Sequence, residues 1–153
     1  MDDTRQKEYL LSPVSRKLVD LIEKSASELT RAYLLDVKKQ PNMPTYQAFP
    51  EQEVYDRAYL VFSQLGRWIS YELESAEMKK YWLELGRKRR EEGFALPEIF
   101  LSLCLLRKQL WNKIQAEGLL DNALDLYQAL ELYNRIVTFF DRALYYAIIG
   151  YHS

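Results

Sequence analysis

Apolar residues recur at intervals of three and four along almost the whole chain, and nowhere do they alternate with polar ones for long enough to make a strand. A chain patterned this way folds as helices that each bury one stripe. Glycine and proline, five of each in 153 residues, cluster where the pattern breaks and read as punctuation between helices. The spacing predicts about five of them. Ser12-Pro13 reads as an N-cap followed by proline at the first helical position. The stripe Leu18, Leu21, Ile22, Ser25, Leu29, Ala32 and Tyr33 carries the first helix to near Lys39, where Pro41 forbids continuation. A second helix starts at Pro50 and follows Val54, Tyr55, Ala58, Val61, Phe62 and Leu65 to Ile69. A third follows Ser75 as N-cap, with Met78, Tyr81, Trp82 and Leu85 on one face, and ends at Gly93 as a C-cap. Pro97 opens a fourth that closes at Gly118, and the short link predicts a tight hairpin of the third and fourth helices. The fourth is apolar almost all round from Ile99 to Leu106, which places it at the centre. Asp121 caps a fifth, which runs to about Ile149. Residues 1–11 read as a flexible N-terminus, and the proline-rich connector 40–50 as a stiff, extended segment pinned by Tyr46 and Phe49. The expectation is an all-α, single-domain bundle over residues 1–153. A parallel bundle and a globin-like crossing of helices have the same stripes, so both stay open.

Composition narrows the function. Apolar residues make up 48% of the chain, enough for a real core. With 21 basic and 22 acidic residues the net charge is -1, which offers nucleic acid no overall attraction. The first residues lack the apolar core of a signal peptide. The longest apolar run, Ile99 to Leu106, is far short of the ~20 residues a membrane span needs, so a cytoplasmic location away from membranes is expected. Cys104 is the single cysteine and reads as a buried, inert thiol. The single histidine, His152, stands next to the last residue. That leaves no candidate for a haem ligand within a helix, no Glu-x-x-His pair for di-iron, too few ligands for zinc, and no base for Ser-His-Asp or Cys-His catalysis. No glycine-rich loop resembles a phosphate cradle. No catalytic residue, metal or cofactor is therefore expected, and the chain does not read as an enzyme.

The basic run Arg87, Lys88, Arg89, Arg90 turns about 100° per residue on a helix, so its charges point around the circumference and cannot face one phosphate backbone. Its bland reading is a set of cations at the negative end of a helix. Arg89 alone lies four residues past Leu85 on the apolar face, and Gly86 beside it lets another backbone approach. Arg107 borders the stripe of the fourth helix, and Asn134 and Asp141 line up with Tyr127 and Ile148 on the fifth. A buried charge needs a partner, so Arg107, Asn134 and Asp141 are read as a buried polar network that fixes helix register, with Arg89 as the alternative partner of Asp141. Trp82, Arg89, Arg107, Trp111 and Tyr145 are candidates for binding a small apolar or carboxylate ligand between the third, fourth and fifth helices. The fifth helix has apolar residues on more than one side. Leu126, Tyr133, Phe140, Tyr146 and Ile149 are accordingly candidates for a homodimer interface. A purely structural helical protein is the remaining reading.

The order of PNMPTYQAF, LGRWIS, YWLELGRKRREEGFALPEIFLSLCLLRKQLW and ALELYNRIVTFFDRALYYAIIGY resembles the N-terminal sensor-type domain of RsbRD-like stressosome co-antagonists, a domain type also resembling the front of some bacterial histidine kinases. The likeness covers about Asp20 to Tyr151, and its most telling pieces are Leu85-Gly86-Arg87, Gly93-Phe94, Leu106-Arg107 with Leu110-Trp111, and Gly150-Tyr151. None is a catalytic signature. The resemblance implies a bacterial, helical input domain, globin-like without haem, that signals through dimeric helices to a partner protein or a fused output module. This chain stops at Ser153, where such a module would begin.

Overall fold

The computed structural model describes residues 11–70, 76–117 and 122–153. Among them every regular element is a helix: α1 Pro13–Lys24, α2 Ala26–Lys39, α3 Pro44–Ala48, α4 Glu51–Ser63, α5 Leu65–Ser70, α6 Ala76–Glu91, α7 Leu96–Ala116 and α8 Ala123–Tyr151. The five expected helices become eight for a geometric reason. One straight helix from Pro13 to Lys39 would be about 40 Å long, against about 30 Å for the width of a small domain. The chain bends at Ser25 (φ -94°, ψ 13°) instead, so that Leu18 and Ile22 of α1 and Leu29, Tyr33 and Val37 of α2 all enter one core. A second bend at Gln64 (φ -114°, ψ 18°) separates α4 from α5.

The proline-rich connector is not extended throughout. Pro44 sits in the first turn of α3, and Met43 before it is fully buried. The Gln47 amide donates to the carbonyls of Val37 (2.9 Å), which also accepts the Gln40 N–H (3.2 Å), and Gln40 (2.6 Å), and so ties the connector to the end of α2. Tyr46 and Phe49 pin the connector by packing on the Phe94 ring, with centroids 4.5 and 5.0 Å away.

At the helix ends Ser12 Oγ accepts from the Ser15 N–H (3.2 Å). The N-cap of α8 is Asn122, whose Oδ1 accepts from the Asp125 N–H (2.9 Å). Asp121, Ser75 and Gly118, the expected caps, lie outside the described residues. Leu11, assigned to a flexible N-terminus, is part of the core. Gly93 has φ +93°; its N–H bonds to Arg90 O (3.1 Å) and the Phe94 N–H to Arg89 O (2.9 Å), the paired bonds of a left-handed helix stop. A Cβ at Gly93 would meet nothing within 4 Å, so the cost of a side chain there is purely conformational. Gly93→Ala is expected to cost about 1–2 kcal/mol. Thermal unfolding should then show a midpoint lower by about 4 °C, and an unchanged midpoint would refute the need for a left-handed residue.

The turn at Gly93 does not fold α7 back along α6, so the expected hairpin is absent. α6 packs along α8, while α7 packs on α2 and α8. The reason is a backbone-to-backbone contact. A Cβ on Gly86 would overlap the Ala147 carbonyl and stand 2.9 Å from the Tyr151 nitrogen. A Cβ on Gly150 would overlap the Leu83 carbonyl and stand 2.9 Å from Leu83 Cα. The central helix is therefore α8, which touches α1, α5, α6 and α7, and not α7, whose Phe100 faces outward. Two ties hold the last turn of α8 to the end of α6. The Tyr151 hydroxyl donates to Phe94 O (2.9 Å), and Arg90 Nη1 donates to Tyr151 O (3.1 Å).

Candidate functional site

The basic run resolves into three directions. Arg87 pairs with Glu91 at the surface (2.7 Å), Arg90 reaches the end of α8, and Arg89 turns inward with 7% of its surface exposed. Arg89 can be buried because its charge is met at once. Its Nη1 donates to Glu92 Oε1 at 3.0 Å, and its guanidinium stands 5.9 Å from the Phe94 ring centroid. Arg57, brought from α4, grips the same carboxylate with two hydrogen bonds, Nη1 to Oε1 at 3.0 Å and Nη2 to Oε2 at 2.6 Å. Arg57 also lies 4.9 Å from the Phe49 ring centroid and bonds the exposed Glu53 at 3.2 Å. Burial would raise the Glu92 carboxyl, but the Arg57 hydrogen bonds and the charges of Arg89 and Arg57 outweigh it and hold the group below its ordinary value. The sign follows from linkage. The ionised clasp contributes stability above the unfolded carboxyl value, and that stability is lost as the pH falls through the lowered one.

Arg89 and Arg57 form one end of a cavity of about 50 Å³ between α2, α4, α6 and α7. Val54, Val61, Leu85, Ile99 and Leu106 make its apolar walls. Its other polar groups include the Tyr33 hydroxyl, hydrogen-bonded to Ser102 Oγ at 2.6 Å, Tyr46 and Tyr81. Burial pushes the Tyr33 phenol far above its ordinary value, so it is a neutral hydroxyl at any physiological pH. Burial raises Tyr46 as well, against the opposing pull of Ser102 and Arg89 beside it. Trp82 forms part of the wall, and its Nε1 is buried without a hydrogen-bond partner. A single water needs about 10–15 Å³ of such space. The cavity thus has room for about four waters, or for an organic group of similar size.

The structure brings together two of the five ligand candidates, Trp82 and Arg89. The other three lie elsewhere, and α8 contributes nothing to this cavity. Arg107 lines a separate hollow of about 90 Å³ between α7 and α8, with Phe100, Cys104 and Asp141. Trp111 packs on Tyr133, centroids 4.4 Å apart, and Tyr145 is exposed beside Tyr146. The expected buried network of Arg107, Asn134 and Asp141 is a surface feature. Arg107 does approach Asp141 (3.9 Å), but the Asp141 side chain is 69% exposed and Asn134 faces solvent. An exposed pair of this kind contributes at most about 1 kcal/mol. Of the dimer candidates, Phe140 and Tyr146 are buried in the core and unavailable to a second copy, Tyr133 is half-buried, and Leu126 and Ile149 are exposed. The physical reason is shared: α8 is apolar on two sides, and its buried stripe runs through Leu132, Ile136, Phe139, Ala143 and Tyr146, not through Asn134 and Asp141.

Arg57, Glu92, Tyr33 and Ser102 were not among the expected site residues. Ser102 carried a signal, as a hydroxyl inside the apolar run IFLSLCLL with Ile99 and Leu106 on the same face. Arg57 and Glu92 carried none, since their pairing joins positions 35 apart in the chain.

Among the described residues no group of three or more His, Cys, Asp or Glu is placed to hold a metal ion, and no helix is long and apolar enough to cross a membrane. Comparison of the chain with protein-family models, with curated proteins and with solved structures finds no match.

Proposed function

We propose that this protein is a non-catalytic sensor-type domain whose signal is a small carboxylate bound in the cavity at Arg89. The observation that carries the reading is a guanidinium, almost fully buried, that faces an apolar cavity beside neutral hydroxyls. Two guanidiniums share the Glu92 carboxylate, and Glu53 meets Arg57 from the solvent side, so the four charges balance and the buried Arg89 has only a share of one carboxylate. A monoanion with a short apolar tail complements both ends, and charge-assisted hydrogen bonds are the strong ones. Nothing in the site supplies a nucleophile with an adjacent base, which supports binding over chemistry. The resemblance to stressosome input domains suggests the setting, a globin-like bacterial domain without haem that relays occupancy to an output module.

Butyrate is a suitable probe, with butyramide as its uncharged counterpart. At ten times its dissociation constant a ligand stabilises the fold by about 1.4 kcal/mol. Butyrate should therefore raise the unfolding midpoint by about 4 °C, and butyramide should leave it unchanged. Equal responses to the two, or none to either, would refute the carboxylate reading.

A second reading, a dimerising interaction module, draws on the exposed apolar residues Leu124, Leu126, Tyr127 and Leu130 on the first turns of α8. Sedimentation at high concentration tests it, and a strict monomer would remove it.

A further inference from the structure

We infer that Glu92 is a built-in competitor for the ligand, a carboxylate of the chain itself that holds the arginine clasp until an external carboxylate takes its place on Arg89. The inference rests on the cavity being a carboxylate site. Glu92 already makes the contacts such a ligand would want: two N–H groups of Arg57 at 3.0 and 2.6 Å and one of Arg89 at 3.0 Å. It makes them from an unfavourable position. Glu92 directly follows the last residue of α6, and its N–H still bonds to Lys88 O (2.9 Å), so its carboxylate stands at the negative end of a helix. An anion is disfavoured there. An anion in the cavity reaches Arg89 from the apolar side instead, away from the helix end. The residue after Glu92 is Gly93 at φ +93°, the one positive φ among the described residues. A glycine can leave that conformation without a steric penalty, so the Glu92 side chain can withdraw through a change in one turn.

Displacement would also be felt beyond the cavity. Phe94, two residues past Glu92, receives the Tyr151 hydroxyl at 2.9 Å and packs on Tyr46 and Phe49. The segment that releases Glu92 is thus the segment that fastens the last turn of α8, and ligand occupancy is reported at Tyr151.

The test is isothermal titration of butyrate into the wild-type chain, Glu92→Gln and Glu92→Asp at neutral pH. Glu92→Gln removes the competing charge. Glu92→Asp keeps the charge but draws it back by one methylene, which separates competition for the guanidinium from a general change in potential. Both variants are expected to bind butyrate about tenfold more tightly, the effect of weakening one charge-assisted contact. Tightening in Glu92→Gln alone would mean that only net charge matters and would overturn the inference. Unchanged or weaker binding in both would overturn it too while leaving the cavity reading intact. Heat in none of the three proteins would remove the cavity reading and the inference with it. Should Glu92→Gln fail to fold, Glu92→Asp decides alone.

Discussion

Gly86→Ala is expected to lower the thermal midpoint by about 10 °C, and Gly150→Ala by a similar amount. In each case the new methyl would lie inside a backbone carbonyl of the facing helix, that of Ala147 or Leu83. A flexible side chain could swing away from such a clash. A carbonyl fixed in the hydrogen-bond ladder of a helix cannot, so the two helices must separate along their whole contact. Overpacking of a well-packed core costs about 1–3 kcal/mol when side chains can adjust, and this contact lies at or above the upper end because they cannot. At about 2–4 °C per kcal/mol for a chain of this length, the shift should be plain by circular dichroism. A midpoint within 2–3 °C of the parent in both variants would show that α6 and α8 do not meet as described.

Arg89→Met is expected to weaken butyrate binding by about 10- to 100-fold while barely changing stability. The loss reflects removal of a charge-assisted donor, about 1.5–3 kcal/mol. Removing one partner of a buried ion pair is costly when it strands the other charge, but Glu92 keeps both hydrogen bonds from Arg57, so stability should fall only by about 1 kcal/mol, the worth of one lost hydrogen bond. The combination discriminates. A purely structural arginine would give the reverse, a lower midpoint and no change in titration with butyrate.

Much of the fold was legible because helix periodicity and chain punctuation are local. Ser12, Gly93 and the proline at the start of α7 act where the sequence places them, since each effect is carried by a backbone group within one turn. The breaks at Ser25 and Gln64 were not legible. Neither position is a glycine or proline, and the break at Ser25 exists because a straight helix of that length would overrun the core. The site divides in the same way. Arg89 stood out as a charge in line with Leu85 beside a glycine, a pattern visible within one helix. Its partner across the cavity mouth, Arg57, comes from α4, and no periodicity reveals a pairing between helices. α8 misled because it is apolar on two sides, and only the position of its neighbours decides which stripe is inside.

The paired glycines set a constraint on how the sequence can drift. Most surface positions of this chain tolerate exchange, and apolar core positions tolerate exchange for others of similar volume. Position 86 cannot gain a side chain unless Ala147 and its helix retreat, and position 150 cannot unless Leu83 does the same. The two sites are therefore bound to one another across 63 residues of intervening chain. Descendants of this sequence that keep the α6–α8 contact should hold glycine at both positions or lose it at both, while the residues around them vary freely.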